Sequence, residues 1–110
     1  MARTVIQDSL LPEIVRRIVE AVDPDKIILF GSRARGDNRP DSDFDLLLVK
    51  ESNQPKHRRA VPAYLALSGS SASVDILWRT PSEVDEWAHA CNHVICRALE
   101  EGQVVYEKRT

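Results

Sequence analysis

The spacing of apolar residues along the 110-residue chain predicts an alternation of helices and short strands. Apolar residues recur every three or four positions in SLLPEIVRRIVEAV, which predicts an amphipathic helix over 9–22 with Ser9 as its N-cap. The continuous apolar run KIILF (26–30) is typical of a buried strand, and Gly31 ends it. A second run, DFDLLLVK (43–50), is apolar almost throughout, as expected for a strand covered on both faces.

The remainder of the chain contains patterns for a shorter helix and for two more strands. HRRAVPAYLAL (57–67) has the composition of a shorter helix, weakened by Pro62. ASVDILWR (72–79) and QVVYE (103–107) are short apolar runs that predict strands.

Between these two strands, TPSEVDEWAHACNHVICRALEEG (80–102) predicts one long helix. Thr80 or Ser82 is expected to cap its start, and Gly102 marks its end. The order α-β-β-α-β-α-β predicts a single domain over 1–110 of the α/β or α+β class, with a small mixed sheet packed against helices.

Charge and hydropathy exclude several classes of function. With 15 basic and 17 acidic residues the net charge is −2, so we expect no direct nucleic-acid binding. No apolar run approaches the roughly 20 residues of a membrane span, and the N-terminus has no signal-peptide core, so we expect no membrane contact and a cytoplasmic location. The basic residues form two groups, which we interpret as solvated faces or as surfaces facing phosphate or a partner: Arg33, Arg35 and Arg39, and then Lys56, His57, Arg58 and Arg59.

The two cysteines do not form a redox motif. Cys91 and Cys96 are five positions apart, so we expect both to be reduced. His89, His93 and Cys96 share one face of the predicted helix, which suggests zinc at first sight. A structural zinc site needs a fourth ligand, and none stands out, so ordinary helix packing is the favoured interpretation.

Two aspartates occupy unusual positions at the start of the second strand. Asp43 and Asp45 project to the same face, and two carboxylates roughly 6 Å apart repel by about 3 kcal/mol at an effective dielectric near 20. Mg²⁺ or Mn²⁺ between them would remove this repulsion. Asp75 is a third acid in an apolar strand, and neighbouring strands about 4.8 Å apart would bring all three together. Three carboxylates can hold two ions.

Each aspartate also has a purely structural interpretation. Asp43 could cap the strand, Asp45 could pair with Arg33 or Arg35, and Asp75 could be an ordinary acid at a sheet edge. Taken together with the turn upstream, the metal interpretation is favoured.

That turn is the Gly-Ser pair that follows the first strand. Gly31 lets a ligand approach the main chain closely, and neighbouring amides and the Ser32 hydroxyl can face an anion. The sequence matches neither the P-loop nor the dinucleotide-binding fingerprint. A Gly-Ser turn is by itself a weak signal, and its position some ten residues before the acidic pair is what favours a phosphate cradle.

The segments GSRARG (31–36) and SDFDL (42–46) closely resemble the signature of the nucleotidyltransferase fold shared with DNA polymerase β. Within that superfamily the chain looks like the minimal nucleotidyltransferase (MNT) group, the antitoxin partners of HEPN-domain toxins. The resemblance includes the long helix followed by EEGQVVYE and extends over nearly the whole chain.

The resemblance implies a role for each matching residue. Gly31 and Ser32 would hold the phosphates of the nucleotide. Asp43 and Asp45 would bind the catalytic metals, expected to be two Mg²⁺ ions with Mn²⁺ as a possible substitute. Asp75 matches the third acid of the family, which shares a metal and can accept the proton of the attacking hydroxyl.

The resemblance also implies the reaction and the partner. MNT proteins transfer AMP from ATP to a tyrosine of the HEPN toxin, which silences the toxin, so we expect a protein adenylyltransferase in a hetero-oligomer with its toxin. Arg33 and Arg35 are our own assignment, as groups that neutralise the triphosphate. We expect no extra helical domain of the kind that binds small drugs, and therefore a protein acceptor.

Two other functions stay open at this point. The chain could neutralise a toxin by binding and occlusion without essential catalysis, or act as a stand-alone transferase on a small molecule or a nucleic-acid end. Trp78, Trp87 and Tyr106 could anchor an interface, although core positions are the favoured interpretation.

Overall fold

The computed structural model describes residues 10–37, 39, 42–70, 72–88 and 94–108. The predicted cap Ser9 and three residues of the candidate zinc and cysteine positions, His89, Cys91 and His93, lie outside these ranges. The four strands and the helices between them follow the predicted order, and the short helix α2, which that order lacks, lies between the first two strands. The elements are α1 Leu10–Val22, β1 Lys26–Phe30, α2 Ser32–Arg35, β2 Phe44–Val49, α3 Lys56–Arg59, α4 Val61–Ala66, β3 Val74–Arg79, α5 Pro81–Trp87, α6 Val94–Glu101 and β4 Gln103–Glu107.

The four strands form one mixed sheet in the order β3-β2-β1-β4. β1 pairs antiparallel with both β2 and β4, whereas β2 and β3 are parallel. Parallel neighbours need a crossover connection, and the segment containing α3 and α4 supplies it. The predicted α/β or α+β class, with a small mixed sheet and helices, is confirmed.

Both faces of the sheet are covered, which explains why β2 is apolar almost throughout. Leu46 and Leu48 point into a cluster with α1 and α4, whereas Leu47 and Val49 point into a second cluster with α5 and α6. Successive strand residues alternate between faces, so a strand buried on both sides needs apolar residues at every position. Helix α1 buries four residues at helical spacing on the first face: Leu11, Ile14, Ile18 and Val22.

The predicted helix over 57–67 is divided into α3 and α4 at Ala60. Pro62 then lies in the first turn of α4, where a missing amide hydrogen removes no helical hydrogen bond. The proline predicted to weaken one helix therefore starts a second one.

Thr80 caps α5, as predicted. Its hydroxyl accepts from the amide of Glu83, and the Glu83 carboxylate accepts from the amide of Thr80, which completes a capping box. The structure describes Pro81–Trp87 and Val94–Glu101 of the predicted long helix, and Gly102 ends it. A Cβ on Gly102 would collide with the carbonyl of Ala98 and the side chain of Ile28, so only glycine fits there.

The three aromatic residues considered as interface anchors lie in or against the core. Trp78 is buried, with its indole N–H donating to the carbonyl of Lys50 at 2.9 Å, and Trp87 and Tyr106 pack partly buried against the two apolar clusters. The core interpretation is confirmed for Trp78. Over the ranges described, none of the helices combines the length and the apolar character that a membrane crossing requires.

Candidate functional site

The sheet brings the aspartates of two strands to one position. In the parallel pair of β2 and β3, Asp45 lies directly opposite Asp75. Asp43 is two residues before Asp45, immediately before β2 begins, and so belongs to the same side of the strand. Asp45 is half-buried, whereas Asp43 and Asp75 are exposed. The sequence brings Asp75 to the acidic pair only on the condition that these two strands are neighbours, and their parallel register meets that condition.

Charge repulsion acts on the most buried of these carboxylates. Burial raises the pKa of Asp45, and the charges of Asp75 and Asp43 raise it further, whereas the charge of Arg35 lowers it. The ionised form of Asp45 is therefore disfavoured in the folded protein. A cation at this position would relieve the repulsion that the fold imposes.

The donors suit a hard divalent cation because all of them are carboxylate oxygens. In the described part of the chain, no group of three or more His, Cys, Asp or Glu side chains is arranged to hold a metal ion. What unites the three acids is thus the strand register and their electrostatic coupling. Cys96, from the candidate zinc positions, is buried and is not in a disulfide.

The Gly-Ser turn lies directly against Asp45. Gly31 has φ +76° and ψ −158°, a conformation that residues with a Cβ rarely adopt. A Cβ added there would collide with the Asp45 carboxylate. The Gly31 carbonyl accepts from the amides of Ala34 and Arg35, both at 3.1 Å, which starts α2. The absence of a side chain at Gly31 therefore leaves the space that the Asp45 carboxylate occupies.

Arg33 is buried, and its side chain contacts the residues on both sides of Asp43. Its guanidinium lies 4.0 Å from the centre of the Phe44 ring, and its Nε donates to the carbonyl of Ser42 at 2.9 Å. Both contacts flank Asp43. Arg33 thus has a structural part in holding this segment, beside the predicted part in binding phosphate.

Arg35 is more exposed and is held by two carboxylates. Its Nε donates to Asp37 and its Nη1 to Glu101, both at 3.2 Å. These contacts raise the pKa of Arg35, and its positive charge also acts on Asp45, whose pKa it lowers. The link to Glu101 also ties α2 to the end of α6.

Sequence reasoning missed the residue that holds the turn from the other side. The amide Nε2 of Gln103 donates to the carbonyl of Ala34 at 2.9 Å, across 69 positions of the sequence. The sequence holds no signal for this contact, because only the pairing of β4 with β1 brings Gln103 beside α2.

Gly31→Ala should destabilise the protein by about 3 kcal/mol, because the new Cβ meets both backbone strain and the Asp45 carboxylate. Gly69→Ala is the matched control. Gly69 also has a positive φ, +87°, but a Cβ there would have nothing within 4 Å, so we expect a loss of about 1 kcal/mol. Urea unfolding of both variants measures the difference, and equal losses would show that the turn does not press on Asp45.

Three comparisons with known proteins bear on this geometry. The family model for the nucleotidyltransferase domain matches residues 10–105. The chain is similar in structure to a protein of Sulfolobus solfataricus described as a candidate nucleotidyltransferase, with a TM-score of 0.65 and 22% identity over 98% of this chain and 91% of that one. It is also similar to a toxin–antitoxin structure solved with AMP-PNP, with a TM-score of 0.62 and 17% identity over 89% of this chain and 73% of that one. No curated protein matches the chain by sequence. At these identities the two solved structures establish a shared fold.

Proposed function

Because the chain belongs to the nucleotidyltransferase domain family, we propose that it transfers AMP from ATP to a tyrosine hydroxyl of a HEPN-domain toxin in the cytoplasm. The transfer silences the toxin, and the chain is its antitoxin. The register that sets Asp45 opposite Asp75, with Asp43 two residues before, carries this proposal. The likeness to a toxin–antitoxin structure containing AMP-PNP supports the choice of nucleotide and partner.

The residues of the site divide into two functional groups. Gly31 and Ser32 take the phosphates of ATP, in a turn where the missing side chain of Gly31 leaves room for the Asp45 carboxylate. Asp43, Asp45 and Asp75 hold Mg²⁺, for which their carboxylate oxygens are suitable donors. When bound, the ions neutralise charge that develops on the attacking and leaving oxygens.

The reaction is an in-line displacement at the α-phosphorus. The tyrosine oxygen forms a bond to that phosphorus, the bond between the phosphorus and the β-phosphate oxygen breaks, and pyrophosphate leaves. Asp75 takes the proton of the tyrosine hydroxyl. It is exposed on the outermost strand of the sheet, where a partner protein has access to it. Arg35, whose charge acts on Asp45, adds positive charge that would offset the charge of the triphosphate.

A transfer assay tests this reaction directly. The protein is incubated with Mg²⁺, a HEPN-domain protein and ATP labelled on the α-phosphate, and the expected result is label on a tyrosine of the partner together with released pyrophosphate. ATP labelled on the γ-phosphate should leave the partner unlabelled. Absence of transfer from a protein that binds ATP and metal would contradict the proposed reaction.

One surface feature favours neutralisation by occlusion as a second candidate. Val61 and Leu65 on α4 are 49% and 69% exposed, and the exposed residues of α3 beside them are basic. Such a mixed apolar and basic surface suits a protein partner. Under occlusion, the double variant Asp43→Asn with Asp45→Asn would still neutralise the toxin in cells, whereas under catalysis it would lose protection.

A further inference from the structure

The main chain next to Asp75 has a hydrogen-bond partner from outside the sheet. β3 is one of the two edge strands, with β2 on one side and no further strand in the described sheet on the other. The amide of Ile76, the residue after Asp75, donates to the hydroxyl of Tyr64 at 2.8 Å. The Tyr64 hydroxyl thus supplies, for this one amide, the hydrogen-bond acceptor that a neighbouring strand would provide inside a sheet.

The hydroxyl is presented by a helix that is fixed in the core. Tyr64 lies on α4, between Ala63 and Leu67, which are both buried in the cluster shared with α1. Tyr64 itself is 44% exposed. Its position is therefore set by its neighbours on α4 and by the hydrogen bond to Ile76.

The other side of the same segment is held by β2. The amide of Phe44 donates to the carbonyl of Ser73 at 2.9 Å, just before β3 begins. The main chain around Asp75 is thus tied to β2 on one side and to α4 on the other. Edge strands without such a tie exchange their outward amides with water and open locally.

We propose that Tyr64 is a positioning residue, whose hydroxyl holds the main chain at Asp75 so that the Asp75 carboxylate stays aligned with Asp45 for a divalent cation. The inference rests on the proposed function, because it takes Asp75 as a metal ligand. Ligand side chains need to be held to roughly 0.5 Å for productive binding, and an exposed carboxylate on an edge strand has little other support.

Tyr64→Phe removes only the hydroxyl and tests this assignment. Tyr106→Phe, which alters a tyrosine on the opposite edge strand, is the matched control. In Tyr64→Phe we expect the Ile76 amide to exchange with deuterium about tenfold faster by NMR. The affinity for Mn²⁺ in the presence of a non-hydrolysable ATP analogue, measured by electron paramagnetic resonance, should fall about two- to tenfold. The control should change neither quantity.

A double-variant cycle separates positioning from general loosening of the fold. In protein that already carries Asp75→Asn, Tyr64→Phe should not lower the Mn²⁺ affinity further, since the ligand that it positions is gone. An unchanged Mn²⁺ affinity in Tyr64→Phe, or an equal loss with and without Asp75, would overturn the inference. If the unaltered protein bound no Mn²⁺ with nucleotide, the proposed function would fail first, and this inference with it.

Discussion

Asp45→Asn is expected to lower the rate of AMP transfer by about 10³-fold, while the metal-free protein stays as stable as the unaltered one or becomes more stable. Asp45 is the half-buried member of the three acids and lies opposite Asp75. An amide in its place keeps the shape of the side chain but loses the charge that binds a divalent cation. A variant that loses activity but keeps its stability would show that the Asp45 carboxylate serves the reaction and does not stabilise the fold.

The expected gain in stability follows from the raised pKa of Asp45. An acid whose pKa is higher in the folded than in the unfolded state stabilises the fold when protonated, at low pH. That contribution is lost as the pH rises through the folded pKa, so the ionised Asp45 opposes folding at neutral pH. Asparagine carries no charge at any pH, and its benefit should therefore appear at pH 7 and disappear near pH 3.

Thermal unfolding in EDTA at both pH values, together with the transfer assay, measures these effects. Asp85→Asn, an exposed acid on α5, is the control that should change neither activity nor the pH dependence. Residual transfer within tenfold of the unaltered protein, or a clear loss of stability in EDTA at pH 7, would contradict this assignment of Asp45.

The second large effect concerns the ion pair between α3 and α5. Arg59→Ala should destabilise the protein by about 3 kcal/mol, which lowers the melting temperature by roughly 10–20 °C. The Arg59 guanidinium donates to the two carboxylate oxygens of Glu83 at 2.6 and 3.3 Å, and its Nε donates to the carbonyl of Gln54 at 2.9 Å. Both partners are largely buried, at 9% and 19% exposed, so removal of one leaves the other charge poorly solvated.

The pair also predicts how stability depends on pH. The hydrogen bond from Arg59 lowers the pKa of Glu83 to about 2, so the stabilisation that Glu83 confers is complete above the ordinary glutamate pKa and is lost as the pH falls from about 4.5 towards 2. Arg59→Ala should abolish this part of the acid sensitivity. Arg58→Ala, the exposed neighbour on α3, is the control and should unfold like the unaltered protein.

Chemical denaturation of the two variants between pH 3 and pH 7 checks both statements. A loss of less than about 1 kcal/mol in Arg59→Ala would mean that the pair behaves like an exposed surface salt bridge. An unchanged acid transition in that variant would mean that Glu83 owes its low pKa to another contact.

Local periodicity predicted the elements well. The run 26–30 is β1 residue for residue, 103–107 is β4, and Thr80 is the N-cap of α5, one of the two residues expected to cap it. These features depend on neighbours in the sequence, within one or two turns of chain, so the residues themselves carry the information. The division at Ala60 was not predicted, because the chain around it has a continuous helical composition.

The sequence also predicts that Asp43 and Asp45 lie together, because residues two positions apart in a strand project to the same face. Whether Asp75 would join them was conditional on which strands are neighbours, and the parallel register of β2 and β3 decided it. The sequence suggests phosphate binding for Arg33, and only the structure adds the contacts of its side chain with Phe44 and the carbonyl of Ser42.

The sequence by itself determined which segments become helices and strands, and which acids are too polar for the strands that carry them. The tertiary structure alone decided what stands beside each acid: Asp75 opposite Asp45, the Gly31 turn against the Asp45 carboxylate, and the hydroxyl of Tyr64 on the amide of Ile76. The physical reason is the range of the interactions. Periodicity and capping act between residues close in the chain, whereas strand order and register come from burying both faces of one sheet at once.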